Sequence, residues 1–176
     1  MKGGVNGKGA TLRRQVARTV LLVGEGDSEV AFLQHLKALY VTRGCGVAVT
    51  IKNARGKGAA HVVDVAVRQS RNAAFDVKAV LLDTDTDWND KTRTTARKAK
   101  VLVVASNPCL EALLLTAHGH PVTGKSAANL KHEFSVRFGA AAFEPKVYQR
   151  HFPREFIEQA RLRLDELQQI WHLLVK

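Results

Sequence analysis

The stretch Val80-Leu81-Leu82-Asp83-Thr84-Asp85-Thr86-Asp87 constrains the fold more than any other. A short, unbroken apolar run reads as a strand buried on both faces, and such strands belong to parallel sheets covered by helices on each side. This run ends in three aspartates at alternate positions. The end of a strand in an open α/β sheet is its carboxyl edge, where ligands bind. Carboxylates crowded in this way repel one another and are tolerated when a hard cation sits between them. The bland alternative is a solvated acidic turn.

Other segments repeat the strand-then-helix order. Thr19 to Val23 reads as a first strand and runs into Gly24-Glu25-Gly26-Asp27-Ser28-Glu29. The helix after it carries Val30, Phe32, Leu33, Leu36, Leu39 and Tyr40 mostly on one face, with Asp27 or Ser28 as the expected N-cap. Glu29 falls in its first turn, where the helix dipole favours an acid. Gly46 to Ile51 is a second strand, followed by the basic glycine-rich loop 52–58 and a helix over 59–74. In that loop Lys52, Arg55 and Lys57 with exposed amides suit phosphate, although an ordinary βα loop has the same composition. Val77 to Leu82 is the third strand. The polar segment 89–99, with Arg93 and Arg97, would frame its acidic end with positive charge. Val101 to Ala105 is the fourth strand, running into Ser106-Asn107-Pro108-Cys109-Leu110-Glu111. Pro108 suits the first position of the next helix and Asn107 its N-cap. Apolar stripes predict two more helices, over 125–138 and 154–174, both read as core. Strands alternating with helices define the α/β class with a mostly parallel sheet.

Charge bears on partners. The chain has 27 Lys and Arg against 16 Asp and Glu, a formal net charge of +11. That balance points to a polyanion, nucleic acid before a membrane surface. Half of the acids fall in three short segments: Glu25, Asp27 and Glu29; Asp83, Asp85, Asp87 and Asp90; and Glu111. The pattern is that of a cationic surface around an anionic pocket. Residues 1–17 hold four cations and no acid, and read as a flexible basic arm ahead of a single domain over 18–176. Two cysteines and no apolar run of transmembrane length lead to the expectation of a cytoplasmic protein with no membrane segment.

Two literal matches compete with this reading. Gly119 to Ser126 fits GxxxxGK[ST], yet a phosphate loop must follow a buried strand and the segment before it reads as a helix. Asp83-Thr84-Asp85-Thr86 resembles the first motif of haloacid-dehalogenase-type phosphatases, and Ser106 fits the second. That family needs a further acidic pair after a later strand, which the sequence lacks, and the scheme leaves Glu25 and Glu29 without a role.

Strand–Glu25-Gly26-x-x-Glu29–helix followed by strand–Asp83-x-Asp85 resembles the TOPRIM domain of topoisomerases, primases and overcoming-lysogenisation-defect nucleases. Ser106-Asn107-Pro108-Cys109-Leu110-Glu111 with Leu113-Leu114-Leu115 is similar to the SNPxFExWLL signature of the RloB-like family, a TOPRIM-type group associated with restriction and phage-defence loci. Leu110 replaces the usual aromatic residue. The resemblance covers residues 19–118. It implies a TOPRIM-like, Rossmann or flavodoxin-like sheet of four strands, with extra C-terminal helices. If Glu25 and Asp83 share an ion, the first and third strands are neighbours and the order is 2-1-3-4. It further implies Mg²⁺-dependent (or Mn²⁺-dependent) phosphodiester cleavage. Asp83, Asp85 and Glu25 would act as ligands or proton-transfer groups, and Glu29 and Glu111 as further ligands. Lys52, Arg55, Lys57, Arg93 and Arg97 would neutralise the nucleic-acid strand. An ATPase or restriction-system partner and a homodimer are compatible with it. A nucleic-acid-binding module without catalysis and a metal-dependent phosphatase are the alternatives.

Overall fold

A computed structural model describes residues 16–85 and 87–175. Most of the expected basic arm lies outside the described residues. Four strands form one all-parallel sheet: β1 (Arg18–Gly24), β2 (Val47–Asn53), β3 (Val77–Asp83) and β4 (Leu102–Ser106), in the order β2-β1-β3-β4. This is the expected order. Register places Gly24 opposite Leu81 and Asp83 opposite Ser106, so the strand ends align at one carboxyl edge.

Side-chain alternation along the strands divides the core in two. Val20, Leu22, Leu81 and Val104 point to the larger half, and Leu21, Val23, Val80 and Leu82 to the smaller. The smaller half is covered by α2 (Gly58–Asn72) and α3 (Asp90–Lys98). On the larger side lie α1 (Asp27–Tyr40), α4 (Leu110–Ala117), α5 (Ala127–Phe138), α6 (Pro145–His151), α7 (Arg154–Ala160) and α8 (Asp165–Val175). Phe32, Phe134, Tyr148 and Phe152 are fully buried there, and each such side chain contributes about 1.5–3 kcal/mol through burial. The Tyr148 hydroxyl donates to Ala142 O at 2.5 Å, so its polar end is satisfied. Among the described residues no helix is long and apolar enough to cross a membrane.

Several local expectations are corrected. Gly26, not Asp27 or Ser28, is the N-cap of α1, because the Glu29 side chain reaches back and accepts from the Gly26 N–H at 2.8 Å. Helix α4 begins at Leu110 with Cys109 as N-cap, not at Pro108, and the Asn107–Pro108 peptide is cis. The helix expected over 154–174 is interrupted at 161–164, and α6 occupies a segment to which the sequence pattern assigns no element. The N–H groups of Arg163 and Leu164 both bond to Ala160 O, closing α7 with a tight turn. That turn leaves Leu162 exposed while the apolar stripe stays in phase on either side.

Gly24 is a point of close approach. A Cβ built there would lie 2.9 Å from both Val30 Cγ2 and Val30 N, and 3.0 Å from Glu29 Cβ. Only glycine lets α1 cross the end of β1 at this distance.

A carboxylate cluster at the sheet edge

Asp83 and Ser106 end their strands on the larger face, beneath the first turns of α1 and α4. Those turns carry Glu29 and Glu111. Asp83, Glu29 and Glu111 are 7%, 5% and 5% exposed, unusual burial for carboxylates. Glu25 follows β1, and its Oε2 accepts the Asp83 N–H at 3.0 Å. Asp83 Oδ1 accepts the Leu110 N–H at 3.0 Å, which fixes the start of α4 over β3. Thr84 N–H bonds to Ser106 O at 3.0 Å, tying the two strand ends together.

Electrostatics follows from this packing. The Asp83 pKa is raised to about 8, chiefly by burial, with Glu29, Glu111 and Glu25 adding to the rise and Lys131 opposing it. Burial raises Glu29 to about 7 against hydrogen bonds from its own and the Gly26 amide, with Glu111 and Glu25 adding to the rise. Glu25 is raised by burial, relieved by the Asp83 N–H, and raised again by Asp85 and Asp87. These mutual effects bring four of the five expected acids into one electrostatic unit. Asp85, the fifth, is exposed at its rim and acts on Glu25.

Lys131 of α5 is the residue that motif reasoning missed. Its Nζ lies 3.7 Å from Asp83 Oδ2. Burial lowers its pKa, but Glu111, Asp83, Cys109 and Asp85 outweigh burial and the net shift is upward. The only sequence cue is a lysine on an otherwise ordinary amphipathic helix.

Asp87 is placed differently from the other acids. Its carboxylate accepts the N–H groups of Ala59 and Ala60 at the start of α2. The anion position at that helix end is therefore filled by the chain itself. Gly58 at φ +82° gives the carboxylate room, since a Cβ there would collide with it. The basic loop before α2 stays beside the acids: Gly56 N–H donates to Glu25 O at 2.7 Å, and Asn53 Nδ2 donates to Asp27 Oδ1 at 2.7 Å. Lys52, Arg55 and Lys57 are exposed, the last two with left-handed backbone. Arg93 and Arg97 are exposed on α3. The five expected cations thus sit on two elements, the end of β2 with its following loop and α3.

The GxxxxGK[ST] match follows helix α4, as its context predicts. Lys125 Nζ is held by Pro121 O at 2.8 Å and by Glu133 Oε2 at 2.6 Å, and Ser126 caps α5. No strand follows β4 among the described residues, so the later acidic pair of the phosphatase scheme has no place in this sheet.

Among the described residues no three His, Cys, Asp or Glu side chains stand as a ready ligand group. Glu25, Glu29 and Asp83 each commit one oxygen to a backbone amide. The donor set nevertheless fits a hard divalent cation in its chemistry: all are oxygens, and Asp83, Glu29 and Glu25 are held above their ordinary pKa. In addition, two buried polar atoms, Ser106 Oγ and Glu111 Oε2, have no hydrogen-bond partner. Comparison with protein-family models, with curated proteins and with solved structures finds no match.

Proposed function

We propose that this chain is a divalent-cation-dependent phosphodiesterase of the TOPRIM type that cuts nucleic acid, and that it belongs with the RloB-like proteins of restriction and phage defence, acting in the cytoplasm. The observation that carries the reading is the buried convergence of Glu29, Asp83 and Glu111 with Glu25, whose carboxylate accepts the Asp83 amide at 3.0 Å. Desolvating several acids together costs stability, and a bound cation would offset that cost.

Asp83, Asp85 and Glu25 would hold Mg²⁺ or Mn²⁺, with Glu29 and Glu111 behind them. A divalent ion there supplies charge stabilisation for a phosphoryl group and acidifies water. Asp83 and Glu29, raised to about 8 and about 7, would have to give up their protons to serve as ligands. Lys131 faces the same space and gives a phosphate oxygen a cationic contact. Lys52, Arg55 and Lys57 neutralise the strand on the β2 side. The Glu25 hydrogen bond keeps Asp83 in place as these charges change.

The Lys131 contact also favours a second reading, a binding module whose ammonium neutralises the acids without any metal. Incubation of the full chain with tRNA, single-stranded DNA and duplex DNA, in Mg²⁺, in Mn²⁺ and in chelator, separates the two. Metal-dependent cleavage that Glu25→Gln abolishes is the expected result. Binding without cleavage under every condition overturns the nuclease reading.

A further inference from the structure

The expected cations of α3 do not point to the acids alone. They line a groove between α3 and the free edge of the sheet, with Trp88, Arg93, Arg97, Lys100, Leu102 and Val103 on its walls. Among the described residues β4 pairs only with β3, and no strand lies on its other edge. Leu102 is 54% exposed there. The Arg93 guanidinium lies over the Trp88 ring, 5.3 Å from its centroid. Arg97 and Lys100 are exposed and form no ion pair among the described residues. The acid nearest to the groove cations is Asp90, 3.7 Å from Arg93, with a side chain 99% exposed. Such a pair is weak and readily exchanged for a phosphate.

We infer that this groove is a subsite for unpaired nucleotides flanking the bond to be cut, a step that rests on the phosphodiesterase reading. An aromatic ring joined to a guanidinium is the combination that stacks a base and neutralises its phosphate. Trp88 follows Asp83 by five residues, so their Cα atoms are at most about 19 Å apart. A strand lying on Trp88 therefore reaches the carboxylates within a few nucleotides. The charge argues against a second copy of this chain on the same edge, because two such grooves would face each other with like charges. Duplex nucleic acid fits poorly, since its bases are already stacked.

The test uses the full chain carrying Trp171→Phe, which leaves Trp88 as the only tryptophan, in chelator so that no turnover occurs. The probes are dT12, U12, a duplex of equal length and a twelve-residue glutamate peptide. The single strands should quench Trp88 fluorescence with the same Kd that anisotropy gives, and the duplex should not. Trp88→Ala should weaken single-strand binding by roughly 5- to 140-fold, the range for loss of one stacked base. Trp88→Phe, which keeps a ring in the same core, should retain most of it. Arg97→Gln with Lys100→Gln, both at exposed positions, should reduce the slope of log affinity against log salt by about 1.4. Unchanged binding in Trp88→Phe and Trp88→Ala alike overturns the subsite, as does quenching by the peptide or the duplex equal to that by the strands. Metal-dependent cleavage that persists beside such a result leaves the enzyme reading standing. Trp88-dependent binding without cleavage in any divalent ion does the reverse.

Discussion

Lys131 Nζ lies 3.7 Å from Asp83 Oδ2, so a helix outside the strand–helix repeat of the sheet supplies a cation to the buried acid that ends β3. On the proposed reading the ammonium and a divalent ion would compete for the same carboxylates. Lys131→Met should therefore tighten Mn²⁺ binding several-fold while lowering the cleavage rate at saturating metal. Calorimetric titration with Mn²⁺, paired with single-turnover cleavage, checks both halves. Looser Mn²⁺ binding in the variant would show that Lys131 organises the acids instead of competing for them.

Asp83→Asn keeps an oxygen to accept the Leu110 N–H, and Glu25→Gln keeps one for the Asp83 N–H. Both should fold. Each removes one ionisable carboxyl from a crowded cluster, so above pH 8, where the parent's acids are charged, thermal unfolding in chelator should occur at the same temperature as in the parent or higher. Cleavage should fall by orders of magnitude in both. The phosphatase scheme gives Glu25 no role, so a fully active Glu25→Gln protein would remove the TOPRIM reading. Asp83→Leu leaves the buried Leu110 N–H without a partner and should cost about 1–3 kcal/mol.

Asp83 and Glu29 have folded pKa values of about 8 and about 7, raised from ordinary carboxyl values chiefly by burial. The folded state thus binds more protons than the unfolded chain across the interval between. Their contribution to stability is present below pH 4 and is lost as pH rises through 7 to 8. In chelator, denaturant midpoints should decline from pH 5 to pH 8 on this account. Added Mn²⁺ should restore stability more at pH 8 than at pH 5. Glu29→Gln with Asp83→Asn should flatten the metal-free profile.

His118 supplies the opposite slope in a separate place. Its ring is stacked on Phe156 at 4.2 Å and bonded to His151 O at 3.1 Å, and burial lowers its pKa. A depressed histidine binds fewer protons folded than unfolded, so stability falls as pH drops below about 6.5. His118→Phe should weaken that acid-side loss, read from the same denaturation series below pH 6.5.

Asp87→Ala removes the carboxylate that accepts two amides at the start of α2. The expected cost is about 1 kcal/mol of stability, the usual range for a lost N-cap. Asp87→Asn should recover part of it through the amide oxygen. Thermal unfolding of the three proteins measures this directly.

The sheet was legible because its strands are short apolar runs that each end in polar, chemically distinctive residues. The order β2-β1-β3-β4 came from requiring Glu25 and Asp83 to meet, and the Glu25–Asp83 hydrogen bond is how they do. Parts set by tertiary packing were not legible. Nothing local to Lys131 says that α5 will fold back over Asp83, which lies 48 positions earlier. Asp87 reads as the third member of an acidic triplet, yet α2 draws it to another role. The turn at 161–164 contains neither glycine nor proline, so the stripe from Ile157 to Leu174 reads as one helix. The cap at Gly26 was hidden because the group that satisfies its amide belongs to Glu29, three residues on.

The clearance at Gly24 has a consequence for how such a site changes over time. Glu25 and Glu29 stand on either side of a contact that only a hydrogen atom fits. Their separation is therefore set by the Gly24 backbone resting against the Val30 backbone N, the Val30 methyl and Glu29 Cβ, with no Cβ at residue 24 between them. A methyl group at residue 24 would tilt α1 and shift Glu29 away from Asp83 and Glu111, leaving every acid in the sequence intact. Natural variation that preserved the four carboxylates could still abolish their meeting through this one position. A mutational survey confined to reactive groups would pass over a residue that has no side chain and yet sets the dimension of the cluster.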